Sequence, residues 1–220
     1  MPIEMPDMPA AVAKALSSGL PRFAVAASPA ADNTAAARVA RPSITRSGRA
    51  ISRSIEAAIA QGGTAGVGAP MVVLGLDELA AGKDPRQGRP RLWLQLLPAV
   101  EGGHRAMAEV DQQSGKLTAV SEGAEVKALA KRIDALAKPS RSRAAGGARQ
   151  ELGLISVPAL HLTALWLKGD AGSADDVVIP SDGPIAPLVP GQRYTLAEFQ
   201  ALCKTMAAER IRKTGDDMGG

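Results

Sequence analysis

The amino-acid sequence predicts an α+β protein with a mixed or mainly antiparallel sheet of about five or six strands. Two helices are expected to pack on one face of this sheet, and a disordered N-terminal tail precedes it. Four of the five aromatic residues follow residue 90, and short apolar runs bounded by glycine and proline recur after residue 70. The predicted division is therefore a disordered tail with a glycine-rich linker over 1–69 and a single α+β domain over 70–215.

Residues 1–60 contain too little large apolar surface to offset the ordering entropy of the backbone, which is about 1–2 kcal/mol per residue. Prolines interrupt this stretch, and alanine, serine and arginine dominate between them. Two helical patches are predicted within it, Ala10–Ser17 and Ala50–Ala60. The second patch carries an isoleucine stripe along one side, and docking of that stripe on the protein's own core is favoured over docking on a partner. The stripe consists of Ile51, Ile55 and Ile59.

The segment from Gln61 to Pro70, QGGTAGVGAP, is interpreted as a linker. Its glycines invite comparison with a phosphate-binding loop. Such a loop follows a strand and opens a helix, and its nucleotide-binding form ends in lysine and serine or threonine. Here the glycines precede the apolar run and no lysine follows them, so the linker is favoured.

The first half of the domain contains an apolar run at Met71–Leu76 and a strand at Arg91–Leu97. Apolar side chains on both faces of the second segment predict an internal strand. The clearest hairpin is His104–Val120, in which QQSG forms the turn and its glycine supplies a positive φ. An amphipathic helix is predicted over Ala124–Lys138.

The densest apolar segment, Glu151–Pro180, is predicted to form the centre of the sheet, with Trp166 as its anchor. A strand over Glu151–Val157 ends at a proline. Leu160–Lys168 fits either a strand or a helix, and the strand is favoured because a compact polar loop and a return strand follow it. The return strand is Asp176–Pro180.

The last helix has the strongest local signal. Thr195 and Glu198 form a capping box, and Tyr194 and Phe199 occupy the positions of a hydrophobic staple. This pattern predicts a helix that runs to about Lys213.

The charge and the cysteine count limit the class of protein. Residues 1–60 hold seven basic and four acidic residues, and the rest of a chain with net charge +4 is close to neutral. A near-neutral body disfavours a dedicated nucleic-acid binder. A single cysteine excludes an intrachain disulfide, and no apolar run is long enough to span a membrane. The cytoplasm is the expected location; an organelle is the alternative if residues 10–55 are a transit peptide.

The ionisable residues favour binding over catalysis. None of the common nucleophile, metalloprotease or nucleotide-binding motifs occurs in the sequence. Two histidines and one cysteine are too few for a closed zinc site. The acids after residue 169 could bind Ca²⁺ or Mg²⁺, but they lack the spacing of an EF-hand loop, so neither a metal nor a cofactor is expected. Solvated turn residues are the simplest interpretation of the acids after residue 169. The candidate binding residues are His161, Asp170, Asp175, Asp176, Arg141 and Arg143.

The leading functional hypothesis is a non-catalytic binding or assembly protein that acts through the folded domain, the N-terminal tail or both. Its expected partner is another protein. One alternative is an electrostatic nucleic-acid binder that uses the arginine-bearing tail and the 138–149 loop for salt-sensitive phosphate contacts. The other is a hydrolase-like enzyme that uses His161 with an acid of the 170–182 loop.

Overall fold

The computed structural model describes residues 3–27, 48–63, 65–100, 105–137, 149–170, 172–181 and 186–217. These residues form nine β-strands and five α-helices. The strands are β1 (Ile3–Glu4), β2 (Val67–Val73), β3 (Leu92–Leu96), β4 (Met107–Asp111), β5 (Lys116–Ser121), β6 (Gln150–Val157), β7 (Leu162–Gly169), β8 (Val177–Pro180) and β9 (Tyr194–Thr195). The α-helices are α1 (Ala10–Ala27), α2 (Gly48–Ala60), α3 (Leu76–Ala80), α4 (Ala124–Ala137) and α5 (Leu196–Asp217).

The strands form a mixed sheet in the order β5-β4-β3-β2-β6-β7-β8-β9, and β1 also pairs with β6. Both β1 and β2 run parallel to β6, whereas β6, β7, β8 and β9 pair with one another in antiparallel fashion. The α+β class is confirmed, but the predicted number of strands was too small. Two of the extra strands, β1 and β9, have two residues each, too few for an alternating pattern to be recognised.

Contacts divide the chain into two compact units. Unit 1 comprises Met1–Glu4, Met71–Pro90 and Ala135–Gly220, and unit 2 comprises Met5–Pro70 and Arg91–Asp134. The division predicted from the sequence, a tail over 1–69 and one domain over 70–215, cuts across both units. It stays a prediction about which part of the chain folds on its own.

Unit 2 has a core to which the N-terminal helices contribute. Leu16 and Leu20 of α1 and Ile55 of α2 are fully buried, in one cluster with Trp93 and other residues of β3 to β5. Both predicted helical patches are therefore confirmed, and the first continues well past its predicted end. The predicted number of two packed helices was too small. The N-terminal helices are rich in alanine, and such helices can pack closely even where they carry few large side chains.

Ile55 of the isoleucine stripe of α2 packs in the core of unit 2, as the sequence favoured. Ile59 of the same stripe is 38% exposed, and the side chain of Ile51 lies outside the described residues. Residues 28–47, which the sequence assigned to the disordered tail, also lie outside them.

The predicted linker is an integral part of unit 2. Gly62 has a φ of +83° and ends α2 in a Schellman motif, in which Gly63 N–H donates to the Ala58 carbonyl at 2.7 Å. Gly66 follows with a φ of +114°, and a Cβ there would overlap the Leu96 carbonyl oxygen. The chain then enters β2. The linker interpretation was wrong, because these glycines end a helix and allow close backbone packing. A flexible linker has the same glycine-rich composition, so composition alone does not distinguish these roles.

Gly68→Ala is expected to lower the free energy of unfolding by about 1–3 kcal/mol, the usual effect of overpacking a core. A Cβ at Gly68 would overlap Trp93 Nε1 and Gln95 Oε1. Those two atoms cannot move apart freely, because they are buried and hydrogen-bonded to each other at 3.1 Å. Urea unfolding measures the change. The matched control is Gly75→Ala, whose Cβ would meet only Glu78 Oε2, at 3.8 Å; equal midpoints for the two variants would contradict the prediction.

The middle of the chain follows the sequence closely. β3 lies between β2 and β4, which confirms the internal strand. β4 and β5 form the predicted hairpin, and Gly115 in its turn has a φ of +63°. Helix α4 ends one residue before the predicted Lys138.

Unit 1 is built around β6 and β7. β7 runs antiparallel to both β6 and β8, so the strand alternative for Leu160–Lys168 is confirmed. Trp166 is 1% exposed and belongs to a core cluster with residues of β2, β6, β8, α3 and α5. Cys203 lies in the same cluster, and burial raises the pKa of its thiol to about 12. This agrees with the packing role that the sequence indicates for this side chain.

Helix α5 begins with the predicted capping box. Thr195 N–H donates to Glu198 Oε2 at 2.8 Å, and Glu198 N–H donates to Thr195 Oγ1 at 3.2 Å. Tyr194 and Phe199, the predicted staple, are both buried in the unit 1 core. The helix continues to Asp217, beyond the predicted end at about Lys213.

Through Glu198, the capping box makes the free energy of unfolding depend on pH in the acid range. The backbone N–H and the hydroxyl of Thr195 hold the pKa of Glu198 below its usual value of 4.5. A lowered folded-state pKa stabilises the protein above the unfolded-state pKa, and this stabilisation is lost as the pH falls through the folded-state value. We expect wild type to unfold at higher urea than Glu198→Gln near pH 7, and the two to converge well below pH 4.5. A difference that is constant with pH would contradict this.

Candidate functional site

The predicted site residues that the structure describes do not converge, because β7 separates them. His161 directly precedes this strand, whereas Asp170 follows it and Asp175 and Asp176 belong to the loop beyond. An eight-residue strand spans about 23 Å from end to end. The hydrolase-like alternative needs His161 beside an acid of the 170–182 loop, and the strand holds it apart from three of them. Arg141, Arg143 and Asp182 lie outside the described residues.

Asp176 is the centre of a buried hydrogen-bond network. Its Oδ1 accepts from the Gly169 N–H at 2.9 Å and from Arg86 Nη2. Its Oδ2 accepts from Trp166 Nε1 at 2.9 Å and from Arg86 Nε at 2.8 Å. Arg86 Nη2 also donates to the Gly169 carbonyl at 2.9 Å. The network therefore joins the loop after α3 to the β7–β8 hairpin.

The Asp176 carboxylate has no acceptor position left for a ligand. It is 1% exposed, and its two oxygens accept four hydrogen bonds, which is the number that a carboxylate can accommodate. The hydrogen bond to Asp176 raises the pKa of Arg86. We therefore assign Asp176 to the fold. Asp170 and Asp175 are exposed, as the solvated-turn interpretation expects.

His161 has an unusual backbone conformation. Its φ is 49°, the one positive φ outside glycine among the described residues. The residue is exposed, and its N–H donates to the Pro158 carbonyl at 3.0 Å, which closes a short 3₁₀ turn between β6 and β7. The left-handed conformation is uncommon for residues with a side chain, although histidine adopts it more readily than most.

The β6–β7 turn and the connection between β8 and β9 lie at the same end of the sheet. Ala164 pairs with Pro180, and Ser181 N–H donates to the Thr163 carbonyl at 2.8 Å. Gly191 N–H then donates to the Pro180 carbonyl at 2.9 Å, which brings the second connection back to the end of β8. Leu160 and Leu188 both pack into the unit 1 core and hold the two segments in place.

Six of the exposed residues of these two connections form what we call the sheet-end surface. It consists of Pro158, Ala159, His161, Ala186, Pro187 and Val189. Val189 is 52% exposed, and its N–H donates to the Tyr194 hydroxyl at 3.0 Å. Apart from His161, these six residues are apolar, whereas Gln192 and Arg193 later in the second connection are exposed and polar. Burial of the apolar members by a partner would contribute about 25 cal/mol per Å² of apolar area. The sequence indicated His161 but gave no signal for Val189, which stands in a proline-rich connection.

The carboxyl ends of two parallel strands lie at this same end of the sheet. β2 runs parallel to β6, and Leu74 N–H donates to the Ser156 carbonyl at 2.9 Å just before β6 ends. The sheet-end surface therefore lies beyond the carboxyl ends of β2 and β6.

Within the part of the chain that the structure describes, no cluster of three or more His, Cys, Asp or Glu side chains could hold a metal ion. None of the described helices has the length and apolar character needed to cross a membrane. Comparisons with protein-family models, curated proteins and solved structures found no match to this chain.

Proposed function

We propose that this protein is a non-catalytic binding or assembly protein that binds another protein through the sheet-end surface. The observation that carries the proposal is the exposure of Val189. It is the most exposed of the large apolar side chains in the described residues, ahead of Ile59 at 38% and Ile211 at 39%. Four apolar residues and His161 make up the rest of this surface, so an apolar side chain of the partner is the expected occupant.

The backbone of this surface is held in place before binding. Hydrogen bonds fix it at His161, Val189 and Gly191, and Leu160 and Leu188 are packed beneath it. Ordering a flexible segment on association costs about 0.5–1.5 kcal/mol for each side chain that is immobilised. A surface that is already ordered avoids part of this cost, which favours binding.

Of the two alternatives, the nucleic-acid binder stays a prediction, and its test is retention on DNA or RNA that weakens steeply with salt. The hydrolase-like alternative also stays a prediction: β7 separates His161 from Asp170, Asp175 and Asp176, but Asp182 of the same loop lies outside the described residues. The cytoplasm is the location we propose.

The test is the substitution Val189→Asp, which places a charge in the centre of the apolar surface. A partner is first isolated with the wild-type protein, and its affinity for each purified variant is then measured by titration. We expect Val189→Asp to weaken binding about tenfold or more, equivalent to about 1.4 kcal/mol. The matched control is Ile211→Asp on α5, which introduces the same charge at a comparably exposed position outside the surface.

The two variants together make the outcome decisive. Loss of affinity with Val189→Asp alone supports the proposal. Unchanged affinity for both variants, or equal losses for both, would exclude the sheet-end surface as the binding site. Binding of the wild-type protein to lipid vesicles, with no protein partner retained, would also contradict the proposal.

A further inference from the structure

We draw no further inference here: the strongest candidate, the exposed C-terminal part of α5 from Ala208 to Lys213 with Ile211 on its surface, carries none because nothing in the structure shows what covers it.

Discussion

Asp176→Ala is expected to lower the free energy of unfolding by about 3–5 kcal/mol, the usual effect of removing one member of a buried ion pair. The substitution leaves the Arg86 guanidinium without its carboxylate partner. It also leaves Trp166 Nε1 and the Gly169 N–H, which are buried donors, without these acceptors. The desolvation penalty of each buried donor that loses its partner, about 1–3 kcal/mol, is part of this loss.

The control for this prediction is Asp175→Ala. Asp175 adjoins Asp176 in the sequence and has the same charge, but it is exposed, and it is its main-chain carbonyl that accepts from Gln150 Nε2. We expect a change within about 0.5 kcal/mol for this variant, as for most surface substitutions. Urea unfolding followed by circular dichroism measures both. If the two variants unfolded at the same urea concentration, the Asp176 network would not stabilise the fold as we infer.

Arg86→Ala should destabilise less than Asp176→Ala. The Arg86 side chain is 30% exposed, whereas the Asp176 side chain is fully buried. Water can therefore reach the position that the guanidinium vacates and can satisfy part of the carboxylate. Urea unfolding of both variants measures this order of effects. A larger loss with Asp176→Ala would identify the buried carboxylate, rather than its partly solvated partner, as the main source of stability.

The Asp176 network marks a limit of sequence-based prediction. The second hairpin, the strand that contains Trp166 and the capping box of α5 all depend on residues that are close in sequence, and each was predicted. Arg86 and Asp176 are 90 residues apart. Arg86 stands in a polar loop, and Asp176 stands in an acidic loop where exposed turn residues are the usual interpretation. Only the pairing of strands and the packing of α3 bring the two together, so no local pattern could identify them.

The sheet-end surface could be predicted only in part for the same reason. His161 was identified because it is one of two histidines and is followed by an acidic loop, but its left-handed conformation depends on the turn that joins β6 to β7. Val189 lies in this surface because the chain reverses its direction after β8, and β9 then pairs with β8 at Val178. A two-residue strand such as β9 has no recognisable periodicity. The position of the connection between β8 and β9 could therefore not be predicted from the sequence.

Deletion of residues 1–60 is expected to unfold unit 2. The deletion removes Leu16, Leu20 and Ile55, each fully buried, and uncovers Trp93 and the other residues of the same cluster. Burial of one such large apolar side chain contributes about 1.5–3 kcal/mol. The loss of three of them, together with the surface that they cover, is comparable with the whole stability of an ordinary domain, about 5–15 kcal/mol.

Hydrogen exchange resolves this effect along the chain. In the truncated protein we expect the amides of β4 and β5 to exchange rapidly, because the unit 2 core that protects them has lost its helices. The amides of β7 should stay protected, since the unit 1 core contains no residue from 1–60.

The smaller change Leu20→Ala should lower the free energy of unfolding by about 2–5 kcal/mol. Its control is Arg22→Ala, at an exposed position of the same helix.

The same truncated protein separates the two versions of the proposed function. The sheet-end surface lies entirely in unit 1, so a partner that binds there should still be captured after residues 1–60 are removed. A partner that binds the N-terminal segment should be lost, whether or not β7 stays protected. Protection of β7 with loss of the partner would therefore move the binding site to the N-terminal segment, because the surface we propose would be present and folded but unoccupied.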